Sequence, residues 1–188
     1  MINYLINKAL YGEGDSDQHL LVLFSLVVAS RSKNILELGV RNGDSTMPLL
    51  MGAKATGGIL NSVDITNTTF SPNEDYKSHW NFHQMNAIDY LKSVNQKLDF
   101  VFIDDWHDGL HVFNEINLIE PWATKETIIV LHDTMHTFRH PNYNNDPGDP
   151  VYFSNYGPYG ALLKLDRQKW EYATLPYNHG LTLLRKYE

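Results

Sequence analysis

An alternation along the chain constrains its fold more than any other feature. Four short, mostly apolar runs, Ile35 to Leu38, Ile59 to Val63, Phe100 to Ile103 and Thr127 to Leu131, are separated by longer segments with helical patterning. Runs of that length fit strands covered on both faces, and strands alternating with helices build a parallel sheet with helical crossovers. The expected class is α/β. Helices are expected over 16–31, 45–55, 87–94, 109–119 and 158–166. The second begins at Asp44 or Ser45, either of which suits the capping of exposed N–H groups. Lys169 to Leu175 and Leu181 to Lys186 are strand-like and joined by Pro-Tyr-Asn-His-Gly, which reads as a hairpin and reverses one strand at the end.

The 188 residues contain no internal repeat, low-complexity tract or linker rich in Gly and Ser, so 1–188 is expected to be one domain. The absence of cysteine removes thiol nucleophiles, thiolate zinc sites and iron–sulfur clusters. A net charge of -7 has the wrong sign for affinity that rests on neutralising phosphates, so no nucleic-acid partner is expected. The longest apolar run, Leu20 to Ala29, is shorter than the ~20 residues of a membrane span, and no secretory leader is read at Met1 to Leu10. A cytoplasmic protein without a membrane partner is expected, and a homo-oligomer is left open. Between Met135 and Pro158 lie Pro141, Pro147, Gly148 and Pro150, a stretch too long for an ordinary connection. It is expected to be a lid, with Tyr143, Tyr152, Phe153 and Tyr156 closing over a ring or sugar.

Chemistry concentrates at the ends of the strands. Ile35-Leu-Glu-Leu-Gly-Val-Arg-Asn-Gly-Asp-Ser45 reads as a strand, a tight turn and a helix start, which sets backbone N–H groups at the edge where parallel sheets bind ligands. Only Gly39 and Gly43 are present and Arg41 stands between them, so the three-glycine dinucleotide pattern is not met. Asp64 ends the second run, where an acid suits the hydroxyls of a ribose. The run ending Phe-Ile-Asp-Asp-Trp-His-Asp108 and the run ending Leu-His-Asp-Thr134 should be neighbours, so Asp104 and Asp133 can converge on a hard cation such as Mg2+. An imidazole of ordinary pKa suits His107 to take a proton from a hydroxyl, with Asp105, Asp108 and His132 as substitutes. His132, His136 and His140 recur every four residues, though Pro141 limits any helix that would align them.

The segment Glu37-Leu-Gly-Val-Arg-Asn-Gly-Asp-Ser-Thr46 resembles the S-adenosylmethionine (SAM) turn of class I methyltransferases. The resemblance implies a Rossmann-like sheet of seven strands, mostly parallel, in the order 3-2-1-4-5-7-6, with helices on both faces and a closing antiparallel hairpin. It further implies that Glu37 lies near the cofactor's amino end, that Gly39, Val40 and Gly43 lie against it, and that Ser45 helps at the methionine carboxylate. Asp64 falls at the ribose position, and Asn86 with Ala87 at the adenine position. The acidic segments and the tail 169–186 resemble the catechol and macrocin O-methyltransferase branch. Carried across, Asp104 and Asp133 hold the metal with Thr134 where an Asn or Asp completes the shell. Trp106 lies over cofactor or acceptor, and His107 falls at the place of the catalytic base. The implied activity is SAM-dependent methyl transfer to an oxygen of a small hydroxylated molecule, such as a sugar, a polyketide-type compound or a phenol. Two other readings stand beside it: a metal-dependent hydroxylase or hydrolase on the same scaffold, as in cephalosporin hydroxylase-like proteins, and a non-catalytic SAM-binding module.

Overall fold

A computed structural model describes residues 2–135 and 156–188. Its elements in chain order are α1 (Ile2–Tyr11), α2 (Leu20–Ala29), β1 (Asn34–Leu38), α3 (Thr46–Thr56), β2 (Ile59–Asp64), α4 (Glu74–Lys77), β3 (Trp80–Gln84), α5 (Ala87–Ser93), β4 (Phe100–Ile103), α6 (Gly109–Ile119), β5 (Ile128–His132), α7 (Gly157–Lys164), β6 (Trp170–Leu175) and β7 (Leu181–Lys186). The seven strands form one sheet in the order β3-β2-β1-β4-β5-β7-β6. Strands β1 to β5 pair in parallel, and β7 runs antiparallel to both β5 and β6. This is the class I methyltransferase arrangement that the sequence implies, with β1 and β4 adjacent at the middle.

The central strands are apolar on both faces because both faces are covered. In β4, Phe100 and Phe102 pack with Leu23, Val27, Leu49 and Leu50 of α2 and α3. The alternate residues, Val101 and Ile103, pack with Leu91, Val112, Ile116 and Leu162 of α5, α6 and α7. Each fully buried side chain of this size stabilises the fold by ~1.5–3 kcal/mol. The expected first helix is interrupted: Asp17–His19 form a 3-10 turn before α2. Helices α1 and α4 and the bounds of β3 are not evident in the sequence. α1 buries only Leu5, which leaves too weak an apolar pattern to find it. No described helix is long and apolar enough to cross a membrane. Of the expected lid, 136–155 lie outside the described residues, and with them Tyr143, Tyr152, Phe153, His136 and His140.

Candidate active site

The turn between β1 and α3 is bound more closely to the protein than the sequence suggests. Gly39 adopts φ 92°, and a Cβ there would lie 2.2 Å from the carbonyl oxygen of Asp104. Gly43 adopts φ 84°, and a Cβ there would lie 2.3 Å from the ring of Phe70. Both glycines were expected to allow close approach of a cofactor; the place of each missing Cβ is taken by the chain itself, while Gly39 also lines the cavities at this turn. Side chains rarely tolerate this backbone region, so conformation and contact both demand glycine.

Glu37 is fully buried and faces α3, not a cavity. Its oxygens accept hydrogen bonds from Ser45 Oγ at 2.7 Å, Thr46 Oγ1 at 2.9 Å and Ser62 Oγ at 2.6 Å. Burial pushes its pKa up to about 7 against the pull of these hydroxyls. Ser45 is therefore the N-cap residue of α3 without capping it, because its hydroxyl is engaged with Glu37. A direct contact of Glu37 with the cofactor's amino end does not fit this burial. Asp64 is similarly committed. Its Oδ2 accepts from Val40 N at 2.9 Å and Arg41 N at 3.0 Å, and its Oδ1 accepts from Thr66 N and Thr66 Oγ1, both at 2.8 Å. Partial burial raises its pKa, but the N–H donors of Arg41, Thr66 and Val40 outweigh that and hold it below the usual carboxylate range. Asp64 thus clamps the glycine turn whether or not a ribose shares it.

Two cavities meet at this turn. One, of about 300 Å³, is walled by Asp64, Ile65, Asn86, Ala87, Trp106 and their neighbours. The other, of about 350 Å³, is lined by Val40 and by the polar side chains of Asp15, Ser16, Asp44 and Ser45, among others. Gly39, Arg41 and Asp104 line both. The Asn86 side chain caps α5 by accepting from Ile88 N at 2.9 Å, which leaves Ala87 as the small residue of the wall. Trp106 is 58% exposed, an unusual degree for an indole, and stands at the rim of the first cavity.

Behind Asp104 lies a basin of carboxylates and imidazoles. His107 Nε2 is 3.3 Å from Asp104 Oδ1 and 3.0 Å from Asp133 Oδ2. His132 Nδ1 is 3.3 Å from the same oxygen of Asp104 and 3.4 Å from Asp133 Oδ1, and His179 Nδ1 is 3.2 Å from Asp133 Oδ1. Asp133 adopts φ 54°, a left-handed conformation that costs a non-glycine residue ~1–3 kcal/mol and is concentrated at functional sites. Burial lowers the pKa of His107, but its two carboxylate partners overcome this and push it up to about 9. The ordinary pKa expected for His107 is thus corrected: the carboxylates hold its proton, and an imidazolium cannot accept a second one. Burial raises the pKa of Asp133, but hydrogen bonds and positive charge from His107 and His132 outweigh it and keep the carboxyl well below the usual carboxylate range.

Asp104, His107 and Asp133 each bring a potential ligand atom within 4.8 Å of the others, so the group beside the two expected metal ligands is His107. Thr134 was expected there. Its hydroxyl instead accepts from Thr182 at 2.7 Å and faces Gly180 in the seam with β7. His179 and His19 are not singled out by the sequence. Because β7 is antiparallel to β5, the turn before β7 comes back to the end of β5 and carries His179 with it. His19 is buried beneath, and its Nε2 lies 3.1 Å from Tyr177 O and 3.0 Å from Asn178 O, anchoring that turn. Hairpin topology is the one signal that points to His179; for His19 there is none.

Comparison with known proteins bears on the family and the fold. The family profile described as a methyltransferase domain matches residues 36–134, more than half of the chain, from β1 to the end of β5. No curated protein sequence matches the chain. Among solved structures, the SAH-bound methyltransferase PaMTH1 of Podospora anserina is similar at 16% identity with a TM-score of 0.66, covering 100% of this chain and 88% of its own. The O-methyltransferase of Bacillus cereus in complex with SAH is 16% identical with a TM-score of 0.67, over 98% of this chain and 90% of its own. The O-methyltransferase TomG of Streptomyces achromogenes, involved in tomaymycin synthesis and in complex with SAM, is 13% identical with a TM-score of 0.67, over 100% of this chain and 89% of its own. At such identities the likeness establishes the fold.

Proposed function

This chain belongs to the methyltransferase-domain family, and from that premise we propose that it transfers the methyl group of SAM to an oxygen of a small hydroxylated molecule. The observation that carries the reading is the position of Asp104. It lines both cavities and, on its other side, meets His107 and His132. An elongated nucleoside–amino acid lying across the two cavities would have its middle, where its sulfur is, beside that basin.

The residues fit such a group. Val63, Ile65, Ala87 and the exposed indole of Trp106 offer an apolar wall for a purine. Asp15 and Asp44 suit the ammonium of an amino acid, and Ser16 with Arg41 its carboxylate. SAM supplies the reactive methyl on a sulfonium when bound. The protein's part is to hold the acceptor oxygen in line and to take its proton, since positioning and proton transfer are what a side chain adds to this displacement. His107, held as an imidazolium by Asp104 and Asp133, does not take that proton; it anchors the two carboxylates, of which Asp104, open to both cavities, is placed to receive it. Asp104 and Asp133 also have the chemistry to hold Mg2+, an ion that keeps waters or substrate oxygens in its shell. A sugar, polyketide-type or phenolic hydroxyl would suit the basin, and the protein is proposed to work on soluble acceptors.

The test is calorimetric titration with SAM, with and without Mg2+, followed by mass spectrometry of methyl transfer to catechols, glycosides and polyketide alcohols. Binding of SAM and an O-methyl product are expected, with Asp104→Asn impairing acceptor binding and rate together. An N-methyl or C-methyl product alone would overturn the assignment to oxygen. Metal binding without any SAM binding would favour the hydroxylase or hydrolase reading.

A further inference from the structure

A second cluster stands on the other side of the β4–α6 loop. His111 and Glu115 lie one turn apart on α6 and so share a face, and Asp105 reaches them from the loop. The first turn of α6 is held by Asp108, whose carboxylate accepts from His111 N at 2.8 Å. His111 Nε2 is 3.1 Å from Asp105 Oδ2 and 3.3 Å from Glu115 Oε1. The ligand atoms of the three residues all lie within 4.8 Å of one another.

Glu115 is 0% exposed, and neither of its oxygens has a hydrogen-bond partner; buried Asp105 Oδ1 lacks one as well. One imidazole nitrogen has a single N–H to give, and its shorter approach is to Asp105. Lone pairs on two buried carboxylates are therefore left without a donor, an arrangement that costs ~1–3 kcal/mol or more per group unless something accepts them. An ion with bonds of ~2.0–2.2 Å at tetrahedral or octahedral angles separates its ligands by ~2.8–3.6 Å, a range that holds the 3.1 and 3.3 Å spacings.

We propose that Asp105, His111 and Glu115 form a second divalent-cation site, separate from Asp104 and Asp133 and taking a transition-metal ion that accepts mixed nitrogen and oxygen ligands, such as Zn2+ or Mn2+. Binding displaces the Nε2 proton of His111 to solvent: the two carboxylates neutralise the ion, and the imidazole made neutral by that loss completes a mixed nitrogen and oxygen set that Mg2+ does not favour. Asp105 and His111 open onto the cavity beside Asp64, which gives the ion a path in. The site also ties Trp106 to α6, since the indole centroid lies 5.2 Å from the His111 ring.

Untagged protein stripped with a chelator and titrated with Zn2+ and with Mn2+ tests this. The parent, Asp133→Asn, Glu115→Gln and His111→Gln are compared, with circular dichroism to confirm that each is folded. Asp133→Asn should retain one Zn2+ site, and the melting temperature of that variant should rise with the ion. Folded Glu115→Gln and folded His111→Gln should each lose one site from the parent's stoichiometry. Full stoichiometry in either folded variant, or no binding in folded Asp133→Asn, overturns the proposal. Glu115→Gln removes a buried carboxylate and replaces it with an isosteric amide, so loss of folding is expected in neither that variant nor the parent without metal.

Discussion

Replacing Glu37 by Gln should flatten the dependence of stability on pH. The carboxyl is fully buried beside the glycine turn, held by Ser45, Thr46 and Ser62, and burial raises its pKa from 4.5 to about 7. At ~1.4 kcal/mol per pH unit, that rise corresponds to about 3 kcal/mol between the two protonation states. The sign follows from which state binds the proton more tightly. Between these two pH values the folded chain keeps a proton that the unfolded chain has released. The contribution is therefore complete below pH 4.5 and is lost as the pH rises through about 7. Urea unfolding of the parent and of Glu37→Gln at a series of values from about pH 5 to pH 8 isolates this group, because every other titration is common to both. The difference between the two proteins should shift in favour of the variant by about 2.5 kcal/mol across the window. A constant difference would refute the reasoning and mean that Glu37 stays ionised through the range, its three hydroxyl donors outweighing burial.

Asp64→Ala should lower stability by ~1.5–3 kcal/mol even without any cofactor, because the turn N–H groups of Val40 and Arg41 lose their charged acceptor; an unchanged urea midpoint would refute the clamp. Gly39→Ala should cost ~1–3 kcal/mol from overpacking against Asp104, added to left-handed strain, and calorimetry should find SAM affinity reduced with it, whereas a neutral melting temperature would show that the two loops part freely. Asp108→Ala should lower stability by ~0.5–2 kcal/mol through loss of the α6 cap, and a thermal melt equal to the parent's would place that cap outside the folded state's energetics.

The elements that local chemistry controls are legible in the residues themselves. Alternating apolar runs mark β1, β2, β4 and β5, Asp64 falls at the end of β2, and the Pro-Tyr-Asn-His-Gly joint marks the hairpin of β6 and β7. Asp104 and Asp133 are brought together by a simple rule, since adjacent parallel strands end at the same edge. Spacing and residue type suffice there because a strand, a turn or a parallel neighbour is decided within a few residues.

Other properties depend on which distant groups meet and on how much water is removed around them, and no spacing carries that information. Gly39 reads as a ligand contact in sequence, yet its missing Cβ accommodates the carbonyl of Asp104, 65 positions away in the chain. His107 reads as a free base, and its neighbours make it a held cation. Thr134 turns to β7, His179 arrives from the closing hairpin, and Glu115 looks like an ordinary helix acid until it is found buried with its oxygens unpartnered. Sequence determined the scaffold and the edge at which chemistry collects, because those follow from short-range pattern. Only the tertiary structure decided which charges share a proton or a cation, because charge at that edge is set by burial and by partners far apart in the chain.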